Sequence, residues 1–351
     1  MEYGKLAGID KPVSRIVFGT DRLRSRRLSW LTDAGLERRA FSLLDSSSEL
    51  GCNSFDTARV YGDSERTLGT WMRKRRNRDD VVIIGKGCHP DAAGRPRLTA
   101  SDASDDLHAS LKALGTDCID LYLLHYDHPA APVESVLERL NRHIDEGKIT
   151  AIGTSNWSHE RIHQANAAAA DHGLRPFCAS SVQFSLADWT RPPWPGAETL
   201  GGQGQRAARE WYSRHGLPVL AWSSLARGFF SDHYDPNDIQ DNAVSPWCAT
   251  YFGTDENLQR RERVVQFARE HRVTIAQVAL AYVLCHPLHA FAVVGCTSQE
   301  KLADDVAATS LKLDEATLRW LATGQGSAGV SVVAPTATPL RRQGGSGEAP
   351  G

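Results

Sequence analysis

The sequence predicts an α/β chain of the (β/α)8 barrel class, and three observations carry that expectation. Short apolar runs alternate with amphipathic stretches eight times over. Several runs are apolar almost throughout, as in VVIIGK and IDLYLLH, the composition of parallel strands covered on both faces. The first run leads into GTDRLRS, without the G-x-G-x-x-G that an open doubly wound sheet usually shows there. A length of 351 residues suits either one large barrel with extensions or two domains, and the eightfold repetition selects the barrel.

The predicted strands are residues 15–20, 53–58, 81–86, 119–125, 149–155, 178–184, 218–224 and 290–296. Helical patterns lie between them. Residues 64–74 follow the second strand, with Leu68, Trp71 and Met72 on one face. Residues 99–114 follow the third, with Thr99 as N-cap, Asp102 three residues on and Gly115 as the stop. Residues 132–146 follow the fourth, opening on Pro132 and ending at Gly147. Residues 159–172 follow the fifth and contain the strong helix former AAAA. Residues 205–215 follow the sixth, 256–271 and 274–285 the seventh, and 298–309 the eighth. Two stretches break the rhythm. Residues 189–204 form a Pro/Gly-rich loop, and residues 231–255 read as a long loop bearing Trp247, Tyr251 and Phe252. Both follow strand C-termini, so both are candidate lids or walls of a site. The expected organisation is a barrel over 1–324 and a flexible tail over 325–351, whose Gly, Pro, Ala, Ser and Thr cannot pack a core.

Bulk properties exclude several functions. Forty Lys and Arg against 42 Asp and Glu leave a net charge of -2, with no basic field for a nucleic-acid backbone; the basic run at 72–78 reads as a solvated helix end. Seven scattered cysteines, an odd number without a C-x-x-C pair, suggest neither a disulfide frame nor a zinc site and fit reduced thiols in the cytoplasm. No metal, membrane or nucleic-acid partner is expected. The N-terminus lacks the apolar core of a signal peptide, and no stretch approaches a membrane span.

Catalysts on this fold take their reacting groups from strand C-termini. The second strand ends FDTARVYG and supplies Asp56 and, five residues on, Tyr61; the third ends IIGKG and supplies Lys86; the fourth ends YLLHY and supplies His125. Taken singly, aspartate after a strand caps a turn, tyrosine packs, and histidine at a strand end sits satisfied in a core. Lys86 resists that treatment. An ammonium closing an apolar strand at a barrel mouth needs a counter-charge, and Asp56 on the adjacent strand is placed to give it. Together the four groups make a proton-delivery device. Free tyrosine titrates near about pH 10, too high for neutral-pH acid–base work. A neighbouring ammonium is expected to lower that value, Asp56 to hold Lys86 charged, and neutral His125 to orient a substrate oxygen. The device suits carbonyl reduction, and because no side chain carries hydride, a nicotinamide cofactor is required.

With these residues in place, the sequence resembles the aldo-keto reductase family. FDTARVYGDSERTLG is similar to the family's Asp–Tyr segment, IIGKG and LYLLH to its Lys and His segments, GKITAIGTSNWS to its strand-five signature, and VQFSLAD and LAWSSLARG to its later cofactor segments. The likeness runs from about Val13 to Asp305. It implies Tyr61 as general acid, Lys86 and Asp56 as its tuning pair and His125 as substrate-orienting. It also implies a cofactor path. Gly19, Thr20 and Asp56 lie by the nicotinamide ribose, Ser155, Asn156 and Gln183 bond the carboxamide, and Trp222 stacks on the ring. Ser223, Leu225 and Arg227 line the pyrophosphate, and Gly295, Thr297, Lys301, Asp304 and Asp305 hold the adenosine end. There are departures. Asp21 stands where many relatives have an aromatic residue, Cys296–Thr297 where they have Arg or a second Ser, and Ser223–Ser224 where they read Ser-Pro. Asp304–Asp305 replaces Glu–Asn, which leaves the adenine contact open. Lys301 and Arg227 favour a 2′-phosphate and hence NADP(H) over NAD(H).

The expected activity is therefore NADP(H)-dependent reduction of an aldehyde or ketone. A cofactor-sensing regulatory subunit with the same residues and little turnover is the alternative, and an isomerase or dehydratase use of the barrel is disfavoured by the cofactor segments. Trp30, Tyr126, Trp157, Trp189, Phe229, Trp247 and Tyr251 lie on or near rim loops and offer an aromatic wall for a sugar ring or an apolar carbonyl.

Overall fold

A computed structural model describes residues 1–23, 33–232, 234 and 245–326. After a small antiparallel hairpin, β1 (Tyr3–Gly4) and β2 (Val13–Ser14), come eight strands: β3 (Ile16–Gly19), β4 (Ser54–Asp56), β5 (Val82–Gly87), β6 (Ile119–Leu124), β7 (Ile149–Ser155), β8 (Ser180–Ser181), β9 (Val219–Ala221) and β10 (Ala290–Val294). All eight pair in parallel, and β10 closes on β3, so the sheet is a barrel without an edge. Every predicted strand is present, though β8 and β9 are shorter than the apolar runs that announce them.

The outer layer follows from amphipathic faces and caps. It comprises α1 (Asp33–Glu49), α2 (Ser64–Arg75), α3 (Ala100–Leu114), α4 (Glu134–Asp145), α5 (His159–Asp171), α6 (Arg206–His215), α7 (Ser245–Phe252), α8 (Asp255–His271), α9 (Ile275–Cys285), α10 (Gln299–Ala307) and α11 (Glu315–Thr323). Thr99 and Asp102 form a reciprocal capping box on α3, and Gly115 ends that helix at φ 63°. Thr274 and Gln277 do the same for α9.

Four elements go beyond the sequence reading. The hairpin is too short to show a period. The buried face of α1 includes Ser46 and Ser47 beside Leu43 and Leu44, which blurs the apolar stripe. The helix α7 corrects the loop expected over 231–255. Its eight residues, SPWCATYF, lack an amphipathic pattern, and tertiary packing places Cys248 and Phe252 in a buried cluster with Phe229, Phe230 and Phe267. The same cluster receives Leu318 and Leu321 of α11. The expected tail beyond residue 326 lies outside the described residues, as does Trp30. Among the described residues no helix is long and apolar enough to cross a membrane, and none of the seven cysteines is bridged.

The barrel interior positions the site. Val17, Val82, Ile84, Leu121, Leu123, Ala151, Ala179, Leu220 and Phe291 share one buried cluster with Leu6, Ile9 and Val13 of the hairpin segment. Strand side chains alternate faces. Two residues beyond the last interior position of its strand, the inward row therefore continues to Gly19, Lys86, Ser181, Trp222 and Val293, and to His125 beyond Leu123; on β7 it reaches Ser155 four residues beyond Ala151. Gly19 pairs with Asp56 across β3–β4, and Asp56 with Ile84 across β4–β5.

Candidate active site

That row opens on a cavity of about 730 Å³ at the C-terminal mouth. Asp56, Lys86 and His125 line it, with Tyr61 reaching in from the β4–α2 loop. The loop is braced. The Ser64 hydroxyl donates to the Thr20 carbonyl at 2.7 Å, and the Tyr61 amide donates to the Ala58 carbonyl at 3.0 Å. Lys86 Nζ donates to Asp56 Oδ2, both groups being almost fully buried. The same ammonium lies 5.1 Å from the centre of the Tyr61 ring. The rings of Tyr61 and His125 meet edge-on at 6.0 Å. The expected convergence of phenol, ammonium, carboxylate and imidazole is therefore present in the structure.

The electrostatics agree with the expectation at one group and reverse it at another. Burial, reinforced by the charge of Lys86, holds His125 well below the ordinary imidazole range, so the ring is neutral as expected. Tyr61 goes the other way. Burial, followed by the carboxylates of Asp56 and Asp21, raises its pKa well above 10. The expected lowering by Lys86 fails because the ammonium is already matched by Asp56, while the phenolate would lose solvation in the cavity. Burial also pushes the Asp56 carboxyl up, with Lys86 pulling against it.

The cavity runs on past the tetrad. Gly19, Ser155, Asn156, Trp222, Ser223, Leu225, Arg227, Gly295, Thr297, Lys301, Asp304 and Asp305, all residues that the resemblance assigns to a cofactor path, line it. Two residues of that path stand behind the wall. Thr20 is fully buried and donates through Oγ1 to the Asp56 carbonyl at 2.9 Å. Gln183 is also fully buried; its Nε2 donates to Ser185 Oγ at 2.9 Å and its Oε1 accepts from Thr199. Ser181, one inward step before Gln183, lines the cavity in its stead. Asp304 is committed to α9, accepting from Thr274 Oγ1 at 2.7 Å and Gln277 Nε2 at 2.6 Å.

The aromatic candidates divide. Tyr126 lines the cavity. Trp157 is core, edge-on to Phe177 at 5.5 Å, and Phe229 is fully buried. Trp247 and Tyr251 pack together at 4.4 Å, with the Arg227 guanidinium 4.4 Å from the Trp247 ring. Trp189 lies 5.6 Å from Trp222. Two aromatic wall residues escaped the sequence reading. Trp194 stacks on Trp222 at 5.3 Å and 20°; its signal is the Pro/Gly-rich loop over 189–204, a candidate lid. His89 lies 5.0 Å from His125, and its signal was its place three residues beyond Lys86 on the same rim.

Comparison with known proteins points the same way. The model of the aldo/keto reductase family matches residues 15–322. An aldo-keto reductase of Strobilurus tenacellus is 28% identical over 86% of this chain and 86% of its own. An aryl-alcohol dehydrogenase of Pestalotiopsis microspora is 29% identical over 78% of this chain and 69% of its own. Among solved structures, a thermostable aldo-keto reductase superposes with a TM-score of 0.68 at 22% identity, over 92% of this chain and 99% of that one.

Proposed function

The chain belongs to the aldo/keto reductase family, oxidoreductases that act on carbonyl compounds, and from that membership we propose that it reduces an aldehyde or ketone to the alcohol at the expense of NADP(H), with Tyr61 as the proton donor. The observation that carries this reading is the meeting of Tyr61, Lys86, Asp56 and His125 at one mouth of a long cavity.

The residues present fit a nicotinamide dinucleotide. Asn156 Nδ2 donates to the His125 carbonyl and to Ser155 Oγ, both at 3.2 Å, while its buried Oδ1 has no partner among the described residues. A carboxamide N–H satisfies such an acceptor. Trp222 offers a ring face. After β9 the backbone passes through positive φ at Ser223 (53°), Ala226 (49°) and Arg227 (54°), the kind of conformation that makes anion-binding concavities. Further along, Gly295 and Thr297 precede the N-terminus of α10, where helix amides and dipole favour a phosphate. Lys301 and Arg227 both line the cavity and support a 2′-phosphate, hence NADP(H) over NAD(H).

The cofactor supplies the hydride that the side chains lack. Every other task falls to the protein. His125, held neutral, offers an N–H to the carbonyl oxygen and fixes its direction. Tyr61 keeps its proton at neutral pH because burial disfavours the phenolate, so the acid is always loaded. As carbon gains hydride, oxygen becomes alkoxide-like, a far stronger base than phenolate, and the proton passes from the Tyr61 hydroxyl to that oxygen. The phenolate left behind faces Lys86, which Asp56 keeps in place.

Tyr61→Phe tests the assignment. The expected result is a fall in kcat of about 10²–10⁴-fold, with NADPH affinity, read by nucleotide fluorescence, within about twofold of the parent. Reduction of aldehydes at the parent rate by this variant would remove Tyr61 from the role.

A further inference from the structure

Beyond Lys86 the chain leaves β5 through Cys88, a non-glycine residue at φ 61°. That backbone state is unfavourable for a residue with a Cβ and persists only where neighbours impose it. Here they do. The Cys88 amide donates to Asp106 Oδ2 at 2.8 Å, and Asp106 is gripped by both terminal nitrogens of Arg97 at 3.0 Å. The braced turn delivers His89 to the cavity wall, with its ring 5.0 Å from those of both His125 and Tyr126.

The hydrogen bonding of His89 is defined at one nitrogen and open at the other. Nδ1 lies 2.9 Å from the Pro90 carbonyl oxygen. A carbonyl oxygen only accepts, so this contact requires a proton on Nδ1 and, in the neutral ring, leaves Nε2 as a lone pair. Nε2 has no hydrogen-bond partner among the described residues. The mouth therefore holds two imidazoles side by side, His125 and His89, the second with a ring nitrogen open to accept.

We propose that His89 is a specificity-determining residue, whose Nε2 accepts a hydrogen bond from a hydroxyl group of the carbonyl substrate. This rests on the carbonyl-reducing reading of the same mouth. With the reacting oxygen at His125, the ring spacing places His89 within a few bonds of the carbonyl carbon, so the selected class is carbonyl compounds hydroxylated near the reacting group. The rest of the wall suits a flat or ring-shaped body. Trp194 lies over Trp222, and the same loop returns at Gly196, where a side-chain carbon would stand 3.5 Å from the Tyr126 ring. Aromatic faces receive an aryl ring and a polyol chain alike, so the hydroxyl next to His89 is what discriminates.

The test compares kcat/KM for matched pairs, 3-hydroxybenzaldehyde against benzaldehyde and glyceraldehyde against propanal, in the parent and in His89→Phe, His89→Leu and His89→Gln. One added hydrogen bond corresponds to a preference of about tenfold. The parent is expected to show it in at least one pair, and the pair that does so tells an aryl from an aliphatic source. The ratio should collapse to about twofold or less in His89→Phe and His89→Leu and survive in part in His89→Gln, which keeps an acceptor. A parent without preference, or an unchanged ratio in either apolar variant, overturns the proposal. If no carbonyl turns over at all, the reductase reading itself has failed. Binding of 3-hydroxybenzyl alcohol against benzyl alcohol, and of glycerol against propanol, read by tryptophan fluorescence, then decides the role of His89. Equal affinities within both pairs in the parent, or ratios unchanged by His89→Phe and His89→Leu, refute it.

Discussion

Asp305 is a buried carboxyl at the far end of the cavity, accepting from the Cys296 thiol at 2.9 Å. Burial, together with the charge of Asp304, pushes its pKa up to about 7. The unfolded chain ionises this group from about pH 4, so between those limits the folded state holds the extra proton. Its contribution to stability therefore falls as pH rises from about 4 to about 7 and stays low above. Asp305→Asn removes the titration and keeps an acceptor for Cys296. The gain in unfolding free energy of the variant over the parent, measured in urea, should grow between pH 4.5 and pH 8. A difference flat across that range would mean that Asp305 ionises freely. The same principle explains the tetrad. Burial keeps His125 unprotonated and Tyr61 protonated, so two groups of opposite charge type are both neutral beside the ion pair of Lys86 with Asp56.

Among the elements, α2 and α3 show how tightly the outer layer is specified. Gly69 of α2 faces the end of α3 so closely that a Cβ would lie 2.0 Å from the Leu114 carbonyl oxygen. Alanine in a helix interior normally stabilises by about 1 kcal/mol relative to glycine. Here the contact is with backbone, which cannot rotate away, and Gly69→Ala should instead cost about 1–3 kcal/mol or more through overpacking. Because α2 follows the Tyr61 loop, the variant should lose activity along with stability. A raised thermal midpoint would show that the helices separate freely. The loops act in the same way at the mouth. The strained turn at Cys88 and the proline-rich loop carrying Trp194 convert two strand ends into a shaped wall.

At the scale of the molecule, the barrel is packed from one end and open at the other. The hairpin segment sends Leu6, Ile9 and Val13 into the interior beneath Val17, Val82 and Phe291, while the opposite end holds the cavity. Leu6 is 2% exposed, so Leu6→Ala should cost about 2–5 kcal/mol by chemical denaturation and leave nicotinamide binding in the surviving folded fraction unchanged. A loss below about 0.5 kcal/mol would show that the hairpin is not part of the core.

Much of this was written in the sequence. Continuous apolar runs such as VVIIGK can be strands only if both faces are covered, and eight of them between helical stretches leave little choice but a closed barrel. A two-residue step along strands then places Lys86, His125 and Trp222 at the mouth, because side-chain alternation is local geometry. What lay beyond reach depends on contacts distant in the chain. The short helix α7 exists because a cluster buries Cys248 and Phe252, and the retreat of Gln183 behind the wall follows from Ser185 and Thr199. The net direction of the Tyr61 pKa is set by depth of burial against paired charge, and depth is a property of the assembled barrel, which no spacing of residues encodes.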